Sequence, residues 1–342
     1  MRVERFDEGA AAAWDAFVAA RPDATCYHHR AWKQVAERAY RLETGFLLAR
    51  DPDERVRGVL PLFVVKRPFQ KMVTTGLFGA YGPLLADESA RPALLAAARA
   101  FTERVGASVL QIKALGDAAA PDGLVRLDTS VTAILALDPD PQVLWRRFDG
   151  DVRTCVRQAQ KFKLELRSGP GELEAFYDVL AENMHRKGSP IYGLGFMREL
   201  LAAFGTDAEI VTLWSEGKAI SGAFVLTFKD TVYVPFASSR ASAFHMRPNN
   251  LLYWEIIQRA CKRGLRALDF GRSPRGSSTL KFKLKWRPEV TPVPFYVYSA
   301  GLRPPTLDSG KGGGVDTLVH LWQKLPRSWA DAIGPAVVRW IA

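Results

Sequence analysis

Hydrophobic residues recur at two spacings along this chain, and the two spacings alternate. Apolar side chains repeat every three or four positions, as in helices, at residues 10–20, 30–40 and 94–105. Shorter apolar runs, typical of strands, lie at residues 43–50, 56–66, 108–113 and 131–137. Strands that alternate with helices favour an α/β layer fold.

The chain from residue 210 onwards predicts an antiparallel meander. Turn residues at Glu216-Gly217 and Lys229-Asp230 separate three apolar runs, at residues 210–214, 219–228 and 232–237. An antiparallel run followed by a helix is therefore the order we expect of this half of the chain.

A composition break divides the chain. Asp138-Pro139-Asp140-Pro141 interrupts both periodicities, because two prolines and two acids suit neither a helix nor a strand. We therefore expect an N-terminal domain at residues 1–139, a C-terminal domain at 140–300 and a tail at 301–342.

A helix is predicted after the meander. Asn249 can cap it, and Leu252, Ile256 and Ala260 give it a buried stripe before Gly264 ends it. Asn250 and Tyr253, in its first turns, are candidate substrate-binding residues, although Tyr253 also fits a core position.

A short apolar strand, residues 267–270, follows and carries Asp269 to a turn at Gly271. From residue 279 the residues alternate, which predicts a second strand. One face would hold Thr279, Lys281, Lys283 and Lys285, and the other Leu280, Phe282, Leu284 and Trp286. Ammonium groups along one strand face repel one another, so this face predicts an anion site.

Two further segments have candidate ligand-binding residues. Arg153, Arg157 and Lys161 lie at helical spacing and form a basic stripe, which is either an anion site or a solvated helix face. The Gly-rich segment 76–83 contains Tyr81, and it is either a close approach to a ligand or a flexible connector.

The composition restricts the classes of partner and the cellular setting that we expect. The formal net charge of +11 favours anionic ones, among them phosphorylated substrates, CoA, tRNA or an anionic membrane. Cys26, Cys155 and Cys261 are odd in number and lack metal spacing, which favours a reducing, cytoplasmic setting without a metal. The start of the chain has no signal-peptide pattern, and no apolar run is long enough to span a bilayer, so we expect only peripheral membrane contact.

Taken in order, these motifs resemble the FemAB-related acyltransferases. The resemblance rests on three motifs, namely Pro248-Asn249 with Leu251 and Tyr253-Trp254, the run Asp269 to Ser273, and Phe282-Lys283 with Trp286. It covers residues 140–300 well and the N-terminal half loosely, and departs from the family pattern at Arg287-Pro288-Glu289-Val290. It implies α/β (α+β) architecture with two tandem GNAT-like domains that transfer an acyl or aminoacyl group to an amine.

The resemblance and the residues together give a predicted site. Asp269 is the candidate general base or amine-orienting group, although it could instead only bind the turn at Gly271. Lys283 is the second candidate catalytic residue, since it could offset charge in the transition state. Arg272, Ser273 and Lys281 are predicted to bind substrate, with the cations on a phosphate or carboxylate.

The donor is less defined. The GNAT pyrophosphate signature is missing in clean form, which weakens acyl-CoA without excluding it, and aminoacyl-tRNA is the other candidate co-substrate. No tightly bound cofactor and no metal are expected, because the sequence has no ligand-spaced His and Cys cluster.

The tail ends in two predicted amphipathic helices after a linker at residues 308–316. Helices of this Trp-Lys-Arg kind can lie at a membrane interface, here at the inner membrane, or pack on the domain. The ending resembles the exosortase-associated branch of the family.

The sequence therefore predicts an N-acyltransferase that acts on a cell-envelope or exopolysaccharide precursor, either an anionic small molecule or a lipid-linked sugar. Two alternatives remain, a basic nucleic-acid-binding module and a non-catalytic scaffold of an export system.

Overall fold

A computed structural model describes residues 1–68, 70–82, 84–299 and 313–340, with the side chains of residues 313–316 excepted. The described residues form two compact units. Unit 1 takes those within 1–130, 292–299 and 339–340, and unit 2 takes those within 131–291 and 313–338. The predicted domain bounds at residues 139 and 300 stay predictions. Compactness alone does not show that a unit folds as an independent domain.

Unit 1 combines helices with two sets of paired strands. Its helices are α1 (Ala11–Ala20), α2 (Ala31–Tyr40) and α3 (Arg91–Arg104). Its strands are β1 (Arg2–Arg5), β2 (Leu47–Arg50), β3 (Val56–Leu60), β4 (Phe63–Arg67), β5 (Gln70–Thr74), β6 (Leu85–Ala86), β7 (Val109–Lys113), the start of β8 (Val125–Ala136) and most of β15 (Glu289–Ser299). One set is antiparallel in the order β1–β2–β3–β6, and in the other β4 pairs β5, β5 pairs β7 in parallel, and β7 pairs β15.

The strand predicted at residues 56–66 is in fact two strands. β3 ends at Leu60 and pairs with β2, whereas β4 begins at Phe63 and pairs with β5. Pro61 lies between them, and proline has no N–H for a strand ladder, so the run cannot continue through it.

Unit 2 is one sheet with helices around it. Its helices are α4 (Pro141–Arg147), α5 (Gly150–Gln160), α6 (Leu173–Arg186), α7 (Leu194–Phe204), α8 (Pro248–Lys262), α9 (Ser278–Leu284), α10 (Gly313–Lys324) and α11 (Arg327–Val338). Its strands are the end of β8, β9 (Glu165–Ser168), β10 (Ala208–Ser215), β11 (Lys218–Phe228), β12 (Thr231–Ser239), β13 (Ala267–Asp269) and β14 (Ser273–Pro274). The order is β8–β13–β12–β11–β10–β9, with β12 and β13 parallel and the other neighbours antiparallel.

The predicted meander is confirmed as β10, β11 and β12. Its turns take the left-handed backbone that short hairpin loops require, with φ of 48° at Glu216, 74° at Gly217 and 54° at Lys229. The predicted helix after it is also confirmed, because Leu252, Ile256 and Ala260 of α8 are all buried. These side chains belong to the main core of unit 2.

The predicted cap of α8 is wrong. The helix begins at Pro248, and the cap position, two residues earlier than predicted, is occupied by Arg247 with φ of 55°. Proline suits the first helical position because its missing N–H would be unbonded there in any case. Asn249 is therefore inside the helix, and its side chain accepts a hydrogen bond from Ser239 Oγ at 2.7 Å.

The predicted basic strand at residues 279–286 is also wrong, since this segment is the helix α9. Ser277 caps it by accepting a hydrogen bond from the N–H of Leu280 at 3.2 Å. The helix buries Leu280 and Lys283, three positions apart, and leaves Lys281 and Lys285 exposed. The three lysines therefore do not share one face, because Lys283 is buried while Lys281 and Lys285 are exposed. The anion site inferred from their alternation stays a prediction.

The tail helices pack against α6. Gln323 of α10 donates to the backbone oxygen of Arg186 at 2.8 Å, and Gly188 lies directly against Val319. From α11, Gly334 packs against Ile191. Of the predicted linker, residues 308–312 lie outside the described residues, and α10 already begins at Gly313.

Candidate active site

The candidate site lies where two parallel strands of unit 2 separate. β12 and β13 are paired at Thr231 with Ala267 and at Tyr233 with Asp269, after which β13 ends while β12 continues to Ser239. The chain turns away at Gly271, whose φ is 77°. A Cβ there would lie 3.2 Å from the backbone oxygen of Val234, so the turn approaches β12 closely.

A cavity of 230 Å³ opens beside the free half of β12. It is lined by Asn183, Arg186 and Lys187 from α6, Ala237, Ser238 and Ser239 from β12, Phe244, Asn249 and Tyr253 at the start of α8, and Ser278, Thr279 and Phe282 from α9. Two basic side chains, several hydroxyls and the N-terminus of α8 therefore surround one space. The two basic side chains, Arg186 and Lys187, make this space suited to an anionic ligand.

Hydrogen bonds fix the polar wall of this cavity. Asn183 Nδ2 donates to Ser238 Oγ at 2.6 Å, and Arg186 donates to Asn183 Oδ1 at 2.8 Å. Ser239 Oγ donates to Asn249 and is also bonded to Ser221 Oγ at 2.6 Å. Side chains held this way are ordered before any ligand arrives.

Asp269 is a buried carboxyl group at the point of strand separation, with only 1% of its surface exposed. Its Oδ1 accepts from Thr132 Oγ1 and from the N–H of Gly271, both at 2.7 Å. Its Oδ2 is buried and has no hydrogen-bond partner among the described residues. Burial raises the pKa of Asp269 to about 7, although the Gly271 N–H and Lys283 both act to lower it. Such a carboxyl exchanges its proton near neutral pH.

Lys283 is buried close to Asp269. Its Nζ donates to the backbone oxygen of Gly271 at 2.7 Å, so the same glycine is bonded on both sides. Burial lowers the pKa of Lys283 to about 8, with Asp269 opposing that shift and Arg272 adding to it. A carboxyl and an ammonium group thus have pKa values about one unit apart, which is typical of sites that move protons.

The turn after Asp269 contributes a further polar atom. Ser273 is 1% exposed, and its Oγ has no hydrogen-bond partner among the described residues. Arg272, beside it, is half-buried. Buried polar atoms without partners are rare in folded proteins, and here Ser273 Oγ and Asp269 Oδ2 lie within five residues of each other.

The fold brings together only part of the predicted set. Asp269, Arg272, Ser273 and Lys283 meet around Gly271, and Tyr253 lines the cavity. The centroid of the Tyr253 ring lies 5.2 Å from that of Phe270, the residue that follows Asp269 in the chain. Asp269 and Lys283 themselves do not line the cavity.

Other predicted residues lie elsewhere in unit 2. Asn250 is half-buried in the first turn of α8 and Lys281 is exposed on α9, and neither lines the cavity. On α5, Arg157 lies over the Trp145 ring at 5.5 Å, Arg153 donates to the backbone oxygen of Arg146 at 3.3 Å, and Lys161 is exposed. Their predicted roles in substrate binding stay predictions.

Tyr81 belongs to unit 1. It is 1% exposed and packs on Tyr27 with 5.0 Å between ring centroids. Its hydroxyl is buried without a hydrogen-bond partner among the described residues. Its predicted role in substrate binding stays a prediction.

Sequence reasoning missed several residues of the site. Thr132, which is fully buried in β8, supports Asp269, and its signal was a hydroxyl within the otherwise apolar run at residues 131–137. Ser238 and Ser239 gave a similar signal at the end of an apolar run. No group of three or more His, Cys, Asp or Glu side chains with metal-binding geometry occurs among the described residues.

Comparisons with known proteins identify the type of domain in unit 2. Residues 146–283 match the family described as Acetyltransferase (GNAT) domain, so unit 2 contains a GNAT-type acetyltransferase domain. This segment includes β12, α8, β13 and Lys283 of α9. A search of curated protein sequences finds no significant match.

Solved structures extend the likeness to most of the chain. The structure of FemX is similar with a TM-score of 0.68 and 14% identity, over 88% of this chain and 98% of that chain. L-PGS from Bacillus licheniformis is similar with a TM-score of 0.56 and 12% identity, over 94% and 99%. A tandem GNAT protein from the clavulanic acid biosynthesis pathway is similar with a TM-score of 0.56 and 13% identity, over 88% and 100%. The predicted fold, α/β with two tandem GNAT-like domains, is confirmed.

Proposed function

We propose that this protein is an N-acyltransferase of the FemAB type, in which unit 2 transfers an acyl or aminoacyl group to an amine. The observation that carries this proposal is Asp269, a buried carboxyl with a pKa of about 7 and one unbonded oxygen, at the strand separation of a GNAT-type domain. A core that needed only a hydrogen-bond acceptor there would use both oxygens, because an unpaired buried polar atom costs about 1–3 kcal/mol.

In the proposed reaction the amine nitrogen attacks the acyl carbon, and the bond from that carbon to the leaving sulfur or oxygen breaks. Asp269 Oδ2 accepts the surplus proton of the amine. Lys283, with a pKa of about 8, stabilises the developing negative charge and returns a proton to the leaving atom. No covalent enzyme intermediate is needed, since two substrates held in line can react directly.

We propose acyl-CoA as the first donor to test, because the matched domain family is described as an acetyltransferase. The phosphates of such a donor fit the cavity at Arg186 and Lys187, two basic side chains that line it beside the hydroxyl groups of Ser238, Ser239 and Ser278. Aminoacyl-tRNA is the second donor to test, and FemX and L-PGS, similar in fold, are the reason to keep it.

For the acceptor we propose an amine on a cell-envelope or exopolysaccharide precursor. The tail motif that resembles the exosortase-associated branch supports the second of these. A nucleic-acid-binding module, which the net charge of +11 suggests, stays the alternative.

The test compares the protein with its Asp269→Asn variant. Asparagine keeps an oxygen for Thr132 and Gly271 but cannot accept the amine proton. We expect turnover with acyl-CoA and a simple amine to fall by about 10²–10⁴-fold, while donor binding, read as thermal stabilisation, is retained. Equal turnover by the variant and the parent protein would contradict the assignment of Asp269, and no turnover by the parent with either donor would contradict the proposed activity.

A further inference from the structure

The outer sides of the two tail helices are apolar. Leu318 and Leu321 of α10 are 66% and 57% exposed, and Trp329 and Ile333 of α11 are 65% and 46% exposed. We call these four side chains the tail patch. Both helices also have a side that packs on unit 2, as Ala330, which is buried, and Gly334 of α11 show. Large apolar side chains on the opposite side of a packed helix have no role in the core and point to a binding surface.

The helices that carry the tail patch are fixed to the domain. Arg327, at the start of α11, bonds Asp178 of α6 and also pairs with Asp331 at 3.2 Å. His185 bonds the backbone oxygen of Leu325 at 2.9 Å, at the junction of the two helices. Asp178 is in turn paired with Arg240, a buried side chain at the end of β12. The patch is therefore presented on a defined surface.

The fixed position puts the tail helices next to the candidate site. Gln323 of α10 bonds the backbone of Arg186, and Val319 touches Gly188, while Arg186 and Lys187 line the cavity. The end of α6 thus contacts α10 on one side and the cavity on the other. A surface that binds the tail patch would lie close to the mouth of the site.

The chemistry of the patch fits the interface of an anionic bilayer. Leucine, isoleucine and tryptophan on a fixed helical face can enter the headgroup region, and tryptophan favours that depth. Lys324 is exposed on α10 three positions after Leu321, and Arg186 and Lys187 are exposed at the end of α6, which contacts α10. The acid of α11 between Trp329 and Ile333, Asp331, is paired with Arg327, so the exposed lysine and arginine side chains give this surface basic charge. Each helix has 12 residues, and no helix among the described residues is both long and apolar enough to cross a membrane.

We infer that the tail patch docks this protein on an anionic phospholipid bilayer, with the candidate site facing an acceptor amine carried by a lipid. The docking follows from the exposed side chains alone, whereas the lipid-borne acceptor rests on the proposed function. Both a lipid-linked sugar and an amine-bearing headgroup satisfy this geometry, because each puts its amine at the bilayer surface.

Flotation of the full chain with vesicles tests the docking. We expect the protein to float with vesicles of phosphatidylcholine and phosphatidylglycerol, more weakly with phosphatidylcholine alone, and more weakly again at high salt. A variant with Leu318, Leu321, Trp329 and Ile333 all changed to Ser should bind at least about tenfold less, because the apolar area that enters the interface is gone. The control variant, Leu166→Ser with Val290→Ser, removes exposed apolar side chains from strands elsewhere and should float like the parent protein.

Three measurements on the same preparations decide the outcome. Thermal unfolding should be unchanged in both variants, since the altered side chains are exposed. Turnover of a water-soluble amine should also be unchanged, so loss of flotation with retained turnover supports the docking. Absence of flotation by the parent protein, with turnover intact, overturns the docking and leaves the proposed function standing. A parent protein that sediments as a dimer and becomes monomeric only in the four-site variant would overturn it in favour of a second copy of the chain.

Discussion

Two buried lysines, one in each unit, bond the backbone in the same way. Lys113 Nζ donates to the oxygens of Gly76 and Phe78 at 2.6 and 3.3 Å, and Lys283 Nζ donates to that of Gly271 at 2.7 Å. Lys113 is 3% exposed and Lys283 is 4% exposed. In both places an ammonium group holds a glycine-containing turn against the end of a strand.

The surroundings of the two lysines differ. Lys113 Nζ lies 6.0 Å from the centroid of the Phe295 ring, and its bonds to the oxygens of Gly76 and Phe78 hold the loop after β5. Lys283 acts electrostatically on Asp269, whose second oxygen is unbonded. We conclude that a buried lysine holds a turn in each unit, and that in unit 2 the lysine also lowers the pKa of a neighbouring carboxyl.

Replacing each lysine with methionine should separate stabilisation of a turn from a role in turnover. The loss of turnover in Lys283→Met is the largest effect that we expect. Lys283→Met removes the charge that lowers the pKa of Asp269 and the proposed proton donor, so turnover should fall by about 100-fold or more. Lys113→Met should cost about 1–3 kcal/mol of unfolding free energy, because carbonyl oxygens lose their partner, but keep the turnover of the folded protein. Steady-state kinetics and urea unfolding of both variants test this. A folded Lys113→Met protein as inactive as Lys283→Met would break the distinction.

The stability of the protein should record the raised pKa of Asp269. An ordinary aspartate has a pKa of 3.8, against about 7 here, so between these values the folded state binds more protons than the unfolded state. Stability should therefore fall as pH rises from about 4 to 7, at up to about 1.4 kcal/mol per pH unit for this one group. Lys283, whose pKa is lowered to about 8, changes the stability only above about pH 8, where its contribution makes stability rise with pH.

Asp269→Asn should not have this dependence. Its unfolding free energy, minus that of the parent protein, should grow across the same pH range in urea titrations. A difference that stays constant from pH 4 to 7 would show that the carboxyl ionises at its ordinary pKa.

The smallest expected effect is the loss of stability on substitution of Gly271, in the turn that follows Asp269. Gly271 and Gly276 have similar left-handed backbones, with φ of 77° and 72°, but only a Cβ at Gly271 would approach another group, the Val234 oxygen. Each Gly→Ala change should cost about 1–2 kcal/mol from the backbone conformation alone. Gly271→Ala should cost more than Gly276→Ala and should also slow turnover, since the turn orients Asp269. Equal thermal shifts and equal turnover would mean that the close approach to β12 has no role.

The sequence was sufficient for the elements whose local signals agree with their packing. The meander was predictable because Glu216-Gly217 and Lys229-Asp230 mark turns between apolar runs, and α8 because Leu252, Ile256 and Ala260 repeat at helical spacing. Asp269 was also predictable as a strand-end carboxylate.

The rest depended on contacts that a local pattern does not contain. Over eight residues, the alternation from Thr279 to Trp286 fits a strand, yet Ser277 begins a helix there and the core takes Leu280 and Lys283. The environment of Asp269 depends on Thr132, which is 137 residues away in the chain. Neither the burial of Lys283 nor the unbonded Oδ2 could be read from residue types, because both follow from how β8, β13 and α9 meet.

The central claim is that Asp269 takes the amine proton, and the pH dependence of kcat/KM for a simple amine tests it most directly. The acceptor amine should have a pKa outside the pH range measured, so that its own protonation does not change kcat/KM within that range. The account predicts a rate that rises through a pKa of about 7, as Asp269 ionises, and falls above about 8, as Lys283 loses its proton. The rising limb should be absent in Asp269→Asn. A parent profile without the rise near pH 7, or the same rise in the variant, would contradict the account.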